Sequence, residues 1–124
     1  MKNAINWFDI PVKNFNRAKK FYDTILNISI EARPSIEGDF QMGMFPADMN
    51  EGVSGMLIEG EGYEPSLQGV LIYLNGGEDL SIPLAKVEQA GGKVLMPKTS
   101  LGEYGFMAQF ADTEGNKLAF HSMN

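Results

Sequence analysis

Alternation of apolar and polar positions predicts that most of this chain forms short β-strands. The clearest case is the stretch 105–121, where two alternating runs flank a polar turn that contains glycine. This pattern is typical of a β-hairpin. One face of the predicted hairpin carries Phe106, Ala108, Phe110, Leu118 and Phe120. We assign that face to the core and expect any chemistry on the opposite face, which carries Gln109, Ala119 and His121.

The turn of this hairpin is predicted to start at Asp112. An aspartate side chain accepts hydrogen bonds from backbone N–H groups just ahead of it, and glycine readily adopts the left-handed conformation that closes such a turn. Gly115 stands at the position where this conformation is needed. The turn therefore predicts the strand register.

Apolar residues at helical spacing predict two helices. The first begins after Asn14, a good N-cap residue, and runs to about Leu26. The second has Asp79 as its expected N-cap, and its apolar positions continue to the Gly91-Gly92 pair, a strong stop signal.

The predicted elements repeat a β-α-β-β-β order twice, in modules of about 1–62 and 66–124. We interpret residues 1–124 as one domain made from a duplicated module. The strands are expected at 5–12, 28–32, 40–45, 54–59, 69–75, from 93 onward, 106–110 and 117–121.

Composition and charge narrow the function classes. The chain has 124 residues, 44% of them hydrophobic, and no cysteine, which excludes disulfides and thiolate metal sites. A net charge of −6 opposes binding to nucleic acid or to anionic membranes. The sequence shows neither a secretory signal pattern nor an apolar run long enough to span a bilayer, so we expect a cytoplasmic location.

Several motifs in order give the chain a family resemblance. They are Ile10-Pro-Val12 with Ala18-Lys-Lys-Phe-Tyr22, Glu78-Asp-Leu80 with Val87-Glu88 and Ala90-Gly-Gly92, and Phe110-Ala-Asp-Thr-Glu-Gly-Asn116. Together they resemble the vicinal oxygen chelate superfamily, which includes glyoxalase I, extradiol dioxygenases and bleomycin-resistance proteins. The resemblance implies an α+β fold in which two βαβββ modules form a curved, mostly antiparallel eight-stranded sheet. Helices would cover its outer face, a ligand cavity would lie on its concave face, and the protein would form a homodimer.

The enzymes of that superfamily hold a divalent metal with imidazoles or an amide and two carboxylates from four strands. On this sequence the resemblance puts Trp7 at the first ligand position, Leu71 at another (or Val70 or Gly69 if the register shifts) and Ala119 at the last. None of these side chains offers a lone pair to a metal. Only Glu59 still matches a ligand position, so we expect no metal and no cofactor.

Two other side chains could take over metal binding from the lost ligand positions. Asp9 and His121 each lie one strand repeat, roughly 6.5 Å, beyond a lost ligand position. Glu59, His121 and Asp9 are therefore candidates for acid–base catalysis or for a displaced metal site.

The leading hypothesis is a metal-independent protein that binds a small, partly hydrophobic molecule in the concave cavity. The expected ligand-binding residues are Trp7, Leu71, Tyr73, Met107, Gln109 and Ala119. Asn75 should share this face, where it either orients a polar group of the ligand or makes a structural hydrogen bond. One alternative is a glyoxalase-related lyase or isomerase, either cofactor-free or with a displaced metal.

A second alternative is an interaction subunit in which Trp7 collapses against Leu71 and Met107 and fills the cavity. Trp7 itself is interpreted either as a core side chain or as a cavity wall on which a planar ligand stacks.

Overall fold

The computed structural model describes residues 3–34, 39–48 and 50–124, and its elements follow the predicted order. The strands are β1 (Trp7–Pro11), β2 (Glu31–Arg33), β3 (Gln41–Met44), β4 (Ser54–Glu59), β5 (Ile72–Asn75), β6 (Lys93–Ser100), β7 (Phe106–Ala111) and β8 (Lys117–Ser122). The helices are α1 (Phe15–Leu26) and α2 (Ser81–Leu84), with a short 3-10 turn at Gly102–Tyr104. This is the predicted α+β arrangement of two βαβββ modules.

The strands form two four-stranded sheets, ordered β1-β4-β3-β2 and β5-β8-β7-β6. The expectation of one continuous eight-stranded sheet is therefore wrong. β1 and β5 are edge strands of their own sheets, and no backbone ladder joins them in the described part of the chain. One physical reason lies in β1. Pro11 has no N–H to donate, and its carbonyl oxygen accepts a hydrogen bond from the Asn116 side chain (2.8 Å) instead of from a strand.

α1 confirms the predicted first helix and lies over a core that both sheets share. Its N-cap Asn14 accepts a hydrogen bond from the backbone N–H of Arg17 (3.0 Å). The helix buries its apolar stripe, which consists of Phe15, Ala18, Phe21, Tyr22 and Ile25. The Phe21 ring lies 6.1 Å from Phe110 in β7, and the Tyr22 ring lies 5.7 Å from Phe45, which follows β3. One helix therefore packs against side chains of both modules.

The second helix is shorter than its apolar spacing predicts. α2 spans only Ser81–Leu84, and the segment that follows consists of turns with several i to i+3 hydrogen bonds. The prediction that Asp79 is its N-cap is wrong, because the N-cap is Leu80, which makes no side-chain cap hydrogen bond. The Asp79 carboxylate lies one residue earlier and accepts from the backbone N–H of Ser81 (2.9 Å). Leu80 and Val87 are fully buried, so the apolar face contributes to the core without a regular helix. No helix in residues 3–34, 39–48 or 50–124 is long and apolar enough to cross a bilayer.

The hairpin of β7 and β8 is confirmed in detail. The Asp112 carboxylate accepts from the backbone N–H groups of Glu114 (2.8 Å) and Asn116 (2.9 Å), and Gly115 has a φ of +97°. Gln109 pairs with Ala119 across the two strands. The hairpin face assigned to the core faces inward, and the opposite face of the second sheet, hereafter the open face, carries the candidate site residues.

Candidate functional site

An open groove of about 870 Å³ lies beside the gap between β1 and β5, each an edge strand of its own sheet. We call it the seam groove. The groove exists because the two sheets do not join at β1 and β5. Side chains from the core-facing sides of both sheets therefore also reach the gap between these strands. Its lining consists of Asn3, Ala4, Ile5, Phe8, Leu26, Ile28, Phe45, Pro46, Val53, Leu71, Ile72, Tyr73, Leu74, Asn75 and Gly77. The walls are mainly aliphatic and aromatic, as is typical of small-molecule sites.

The register of the second sheet places four of the six predicted ligand-binding residues together on the open face. Tyr73, Ala119 and Gln109 are directly paired neighbours on β5, β8 and β7, and Met107 lies one repeat along β7 from Gln109. Tyr73 is 48% exposed, whereas Ala119 and Met107 are buried. Tyr73 is therefore the side chain of this group that is most accessible to a ligand.

Of the other two predicted residues, one joins the groove and one does not. Leu71 lines the seam groove together with Tyr73. Trp7 lies on the first sheet, is 36% exposed, and donates a hydrogen bond from its indole N–H to Asp9 (3.0 Å). Trp7 is thus no core side chain, and the interpretation in which it fills the cavity is not what the structure shows. Its role as a stacking wall stays a prediction.

The residues that the resemblance puts at the metal-ligand positions do not fit a metal ion. Trp7, Leu71 and Ala119 have no donor atom for it, and neither do Val70 and Gly69 in the shifted registers. Glu59 lies on the helix-facing side of β4, where its carboxylate accepts from the backbone N–H of Phe15 (2.7 Å). Within the residues that the structure describes, no three or more His, Asp or Glu side chains are grouped so that they could hold an ion.

The three acid–base candidates occupy separate places. Asp9 accepts the indole hydrogen bond on the first sheet, and Glu59 caps the start of α1. His121 lies on the open face of the second sheet, with Nε2 2.6 Å from the carbonyl oxygen of Tyr104. The structure therefore does not bring these three groups together around one reacting centre.

Sequence reasoning missed most of the groove lining. Ile5, Phe8, Phe45 and Val53 contribute to the seam groove, and the sequence patterns single out none of them. Periodicity indicates which face of a strand is buried, but it does not reveal a gap at the edge of a sheet. No local signal in the sequence would have identified these four residues.

A buried carboxylate outside the groove was also missed. The Glu114 side chain, with no exposed surface, accepts from the backbone N–H groups of Lys13 and Asn14 (2.8 Å each) and pairs with Arg17 (2.7 Å). Burial opposes its ionisation, but hydrogen bonds from Arg17, Thr113 and the two N–H groups outweigh this effect and lower the pKa of Glu114. Arg17 and the two N–H groups lie about a hundred residues away from Glu114 in sequence, so this contact has no local signature. It is a structural clamp between the two modules.

Similar solved structures support this fold at low sequence identity. The hypothetical protein SA1046 from S. aureus is 22% identical with a TM-score of 0.67, and 98% of each chain is covered. TnmS3, an antibiotic binding protein from Streptomyces sp. CB03234, is 22% identical with a TM-score of 0.65, covering 98% of this chain and 97% of that one.

Glyoxalase I from Zea mays is 20% identical with a TM-score of 0.71. The match covers 94% of this chain, which spans only 45% of the maize chain.

No curated protein sequence gives a significant match. The family model of the Glyoxalase/Bleomycin resistance protein/Dioxygenase superfamily matches residues 4–120. This match covers nearly the whole chain and agrees with the paired βαβββ modules and with the structural neighbours. The protein therefore belongs to the Glyoxalase/Bleomycin resistance protein/Dioxygenase superfamily.

Proposed function

We propose that this protein binds a small, partly hydrophobic molecule without a metal, in the seam groove and on the adjoining open face. The observation that carries the proposal is the groove itself, an apolar concavity of about 870 Å³. This volume lies within the range of roughly 300–1,000 Å³ that small-molecule sites occupy. TnmS3, which shares the fold, is an antibiotic binding protein, and this supports binding as the activity of the scaffold.

The lining favours a ligand with a planar or aliphatic body. Phe8, Phe45 and Leu71 offer apolar walls, and Tyr73 presents an exposed aromatic ring where the groove meets the open face. Aromatic side chains bind planar groups through offset or edge contacts. Only a few polar groups adjoin these walls, which suits a ligand that is oriented by few hydrogen bonds.

The binding proposal predicts thermal stabilisation by ligand and its loss when the groove wall is charged. In a screen of planar aromatic and glycopeptide-like compounds, a ligand at a hundred times its Kd should add about 2.7 kcal/mol to the free energy of unfolding. Leu71→Asp should abolish this shift because it places a carboxylate in the apolar wall. Leu95→Asp, at an exposed leucine of β6 outside the groove, is the matched control and should retain it. A screen without any stabilising compound would count against the proposal.

Metal independence is supported by the side chains at the ligand positions, three of which have no donor atom. Elemental analysis of protein expressed in metal-supplemented medium should give no stoichiometric transition metal. A stoichiometric ion would overturn this part of the proposal and would favour a lyase or isomerase with a displaced site. A cofactor-free enzyme has no specific support, because Asp9, Glu59 and His121 lie apart.

A homodimer is part of the same proposal and rests mainly on the family resemblance. Exposed apolar side chains beside the two edge strands support it, among them Ile5 and Val70, the latter 91% exposed. A second chain that covered them would also decide whether the groove is completed within one chain or across two. Sedimentation that showed only monomer would contradict this proposal.

A further inference from the structure

We propose that Asn75 and His121 form a paired donor and acceptor site for the edge of an amide or lactam. The site lies on the open face next to Tyr73 and would orient the ligand of the seam groove. The inference rests on the proposed function and deepens it, because it assigns a chemical class to the ligand.

The first half of the site is a histidine whose tautomer is fixed by its partner. Nε2 of His121 lies 2.6 Å from the backbone carbonyl oxygen of Tyr104. A carbonyl oxygen can only accept a hydrogen bond, so Nε2 must carry the proton and donate it. In the neutral ring Nδ1 then has a free lone pair. His121 therefore offers a hydrogen-bond acceptor.

The second half is an asparagine whose amide orientation is fixed in the same way. Oδ1 of Asn75 accepts from the backbone N–H of Gly77 (2.8 Å). A backbone N–H can only donate, so the oxygen must be the atom that faces Gly77. The Nδ2 group of Asn75 therefore offers two N–H donors.

The sheet brings these two groups side by side. Asn75 on β5 and His121 on β8 are direct partners in a parallel pair, so both side chains lie on the open face of strands about 4.8 Å apart. Both line one open pocket, together with Tyr73 and Leu74. Asn75 and Tyr73 also line the seam groove, so the pair adjoins its apolar walls.

A donor beside an acceptor selects a particular ligand edge. The C=O of a cis-amide or lactam can accept from Asn75 while its adjacent N–H donates to His121. A carboxylate has no N–H or O–H to give to Nδ1, and an ether or ketone likewise satisfies only Asn75. The pair therefore favours a planar ligand with a lactam, imide or primary amide edge over an acidic one.

The free protein tests the tautomer directly. His121 is the only histidine in the chain, so selective ¹⁵N-histidine labelling reports this one ring. For the neutral form of the ring we expect ¹⁵N shifts that show a protonated Nε2 and an unprotonated Nδ1. A ring with the proton on Nδ1 would overturn the inference before any ligand is added.

Binding is tested with two probes that differ in one donor, 2-quinolone and N-methyl-2-quinolone. Titration of 2-quinolone should shift the Nδ1 resonance, and N-methyl-2-quinolone should bind at least roughly fivefold more weakly, the factor that one hydrogen bond gives. Asn75→Asp keeps an oxygen for the N–H of Gly77 but removes both donors, and His121→Phe removes the acceptor. Each variant should lower the affinity for 2-quinolone by a similar factor, whereas the surface control Asn16→Asp should leave this affinity unchanged.

The outcomes separate this inference from the proposed function. One outcome would contradict the amide site but support the groove. In it, both quinolones bind with equal affinity, Asn75→Asp and His121→Phe leave these affinities unchanged, and Leu71→Asp lowers both. The amide site is also wrong if neither quinolone binds but other planar aromatic compounds do. If no compound binds at all, both proposals fail.

Discussion

At the scale of single residues, Glu114 shows how a charged side chain can be fully buried without being a functional site. Its carboxylate accepts from two backbone N–H groups, from the Arg17 guanidinium and from the Thr113 hydroxyl. The two N–H groups belong to Lys13 and Asn14 at the start of α1, where backbone donors lack helical partners. The negative charge is also favourable at a helix N-terminus. Glu114 therefore ties the β7–β8 turn to α1.

We predict that Glu114→Gln destabilises the protein by about 2 kcal/mol. The glutamine amide retains one acceptor oxygen, but its NH2 group replaces the other oxygen and then faces hydrogen-bond donors of the surrounding residues. The cost is moderate because the Arg17 side chain is half exposed and regains water when its partner is lost. Urea unfolding measures the change, and the exposed Glu103→Gln is the control, expected within about 0.5 kcal/mol of the unmodified protein. Equal effects for the two variants would contradict the clamp.

The lowered pKa of Glu114 predicts a pH dependence. A carboxyl group with a lower pKa in the folded than in the unfolded state stabilises the fold above the unfolded pKa, about 4.3 for glutamate. That stability is lost as the pH falls through the folded pKa. The difference in unfolding free energy between the unmodified protein and Glu114→Gln should therefore be constant near neutrality and shrink below about pH 4.3.

Unfolding curves from pH 7 to pH 2, roughly the range in which carboxyl groups titrate, measure this difference. The Asp79 carboxyl group, whose pKa the Ser81 N–H and Lys98 lower to about 2, is present in both proteins and cancels from the comparison. A difference that does not change with pH would show that Glu114 stabilises the fold by packing alone.

At the scale of elements, the β7–β8 hairpin depends on one backbone conformation. Gly115 has a φ of +97°, and a Cβ built there would meet no atom within 4 Å. A substitution at this position is therefore opposed by the backbone conformation and not by crowding.

We predict that Gly115→Ala costs about 1 kcal/mol of stability and that Gly115→Asn costs less, because asparagine tolerates left-handed conformations better than alanine. Thermal or urea unfolding of the two variants measures the order. If alanine and asparagine were equally costly, or if neither destabilised the hairpin, the conformational explanation would be wrong.

At the scale of the whole molecule, the two modules share one core. α1 belongs to the first module, yet Phe21 contacts Phe110 of the second, and the Tyr22 hydroxyl donates to Asp112 across the same boundary (2.7 Å). The pKa of Tyr22 is raised well above its ordinary value by burial and by the negative charge of Asp112. With these contacts, neither module retains its packing when the other unfolds.

We therefore predict one cooperative unfolding transition. Trp7, the only tryptophan, reports the first sheet by fluorescence, and the amide resonances of β8 report the second. The two urea midpoints should coincide, and Tyr22→Phe should lower both equally because Asp112 loses a buried donor. Midpoints that separate would show that 1–62 and 66–124 behave as two domains.

The sequence alone determined the local structure of α1 and of the β7–β8 hairpin. The alternation in 106–110 and 117–121, the apolar stripe of α1, the N-cap at Asn14 and the turn at Asp112 could all be predicted, because each depends on residues a few positions apart. The same local signals placed Tyr73, Gln109 and Ala119 on one face of a sheet.

Only the tertiary structure decided how those elements meet. The gap between β1 and β5, the direction of Glu59 toward α1 and the burial of Glu114 depend on partners tens to about a hundred residues away in sequence. Periodicity shows which side of a strand is buried, but it does not show whether an edge finds a partner. The seam groove, and with it the candidate site, arises from an edge that finds none.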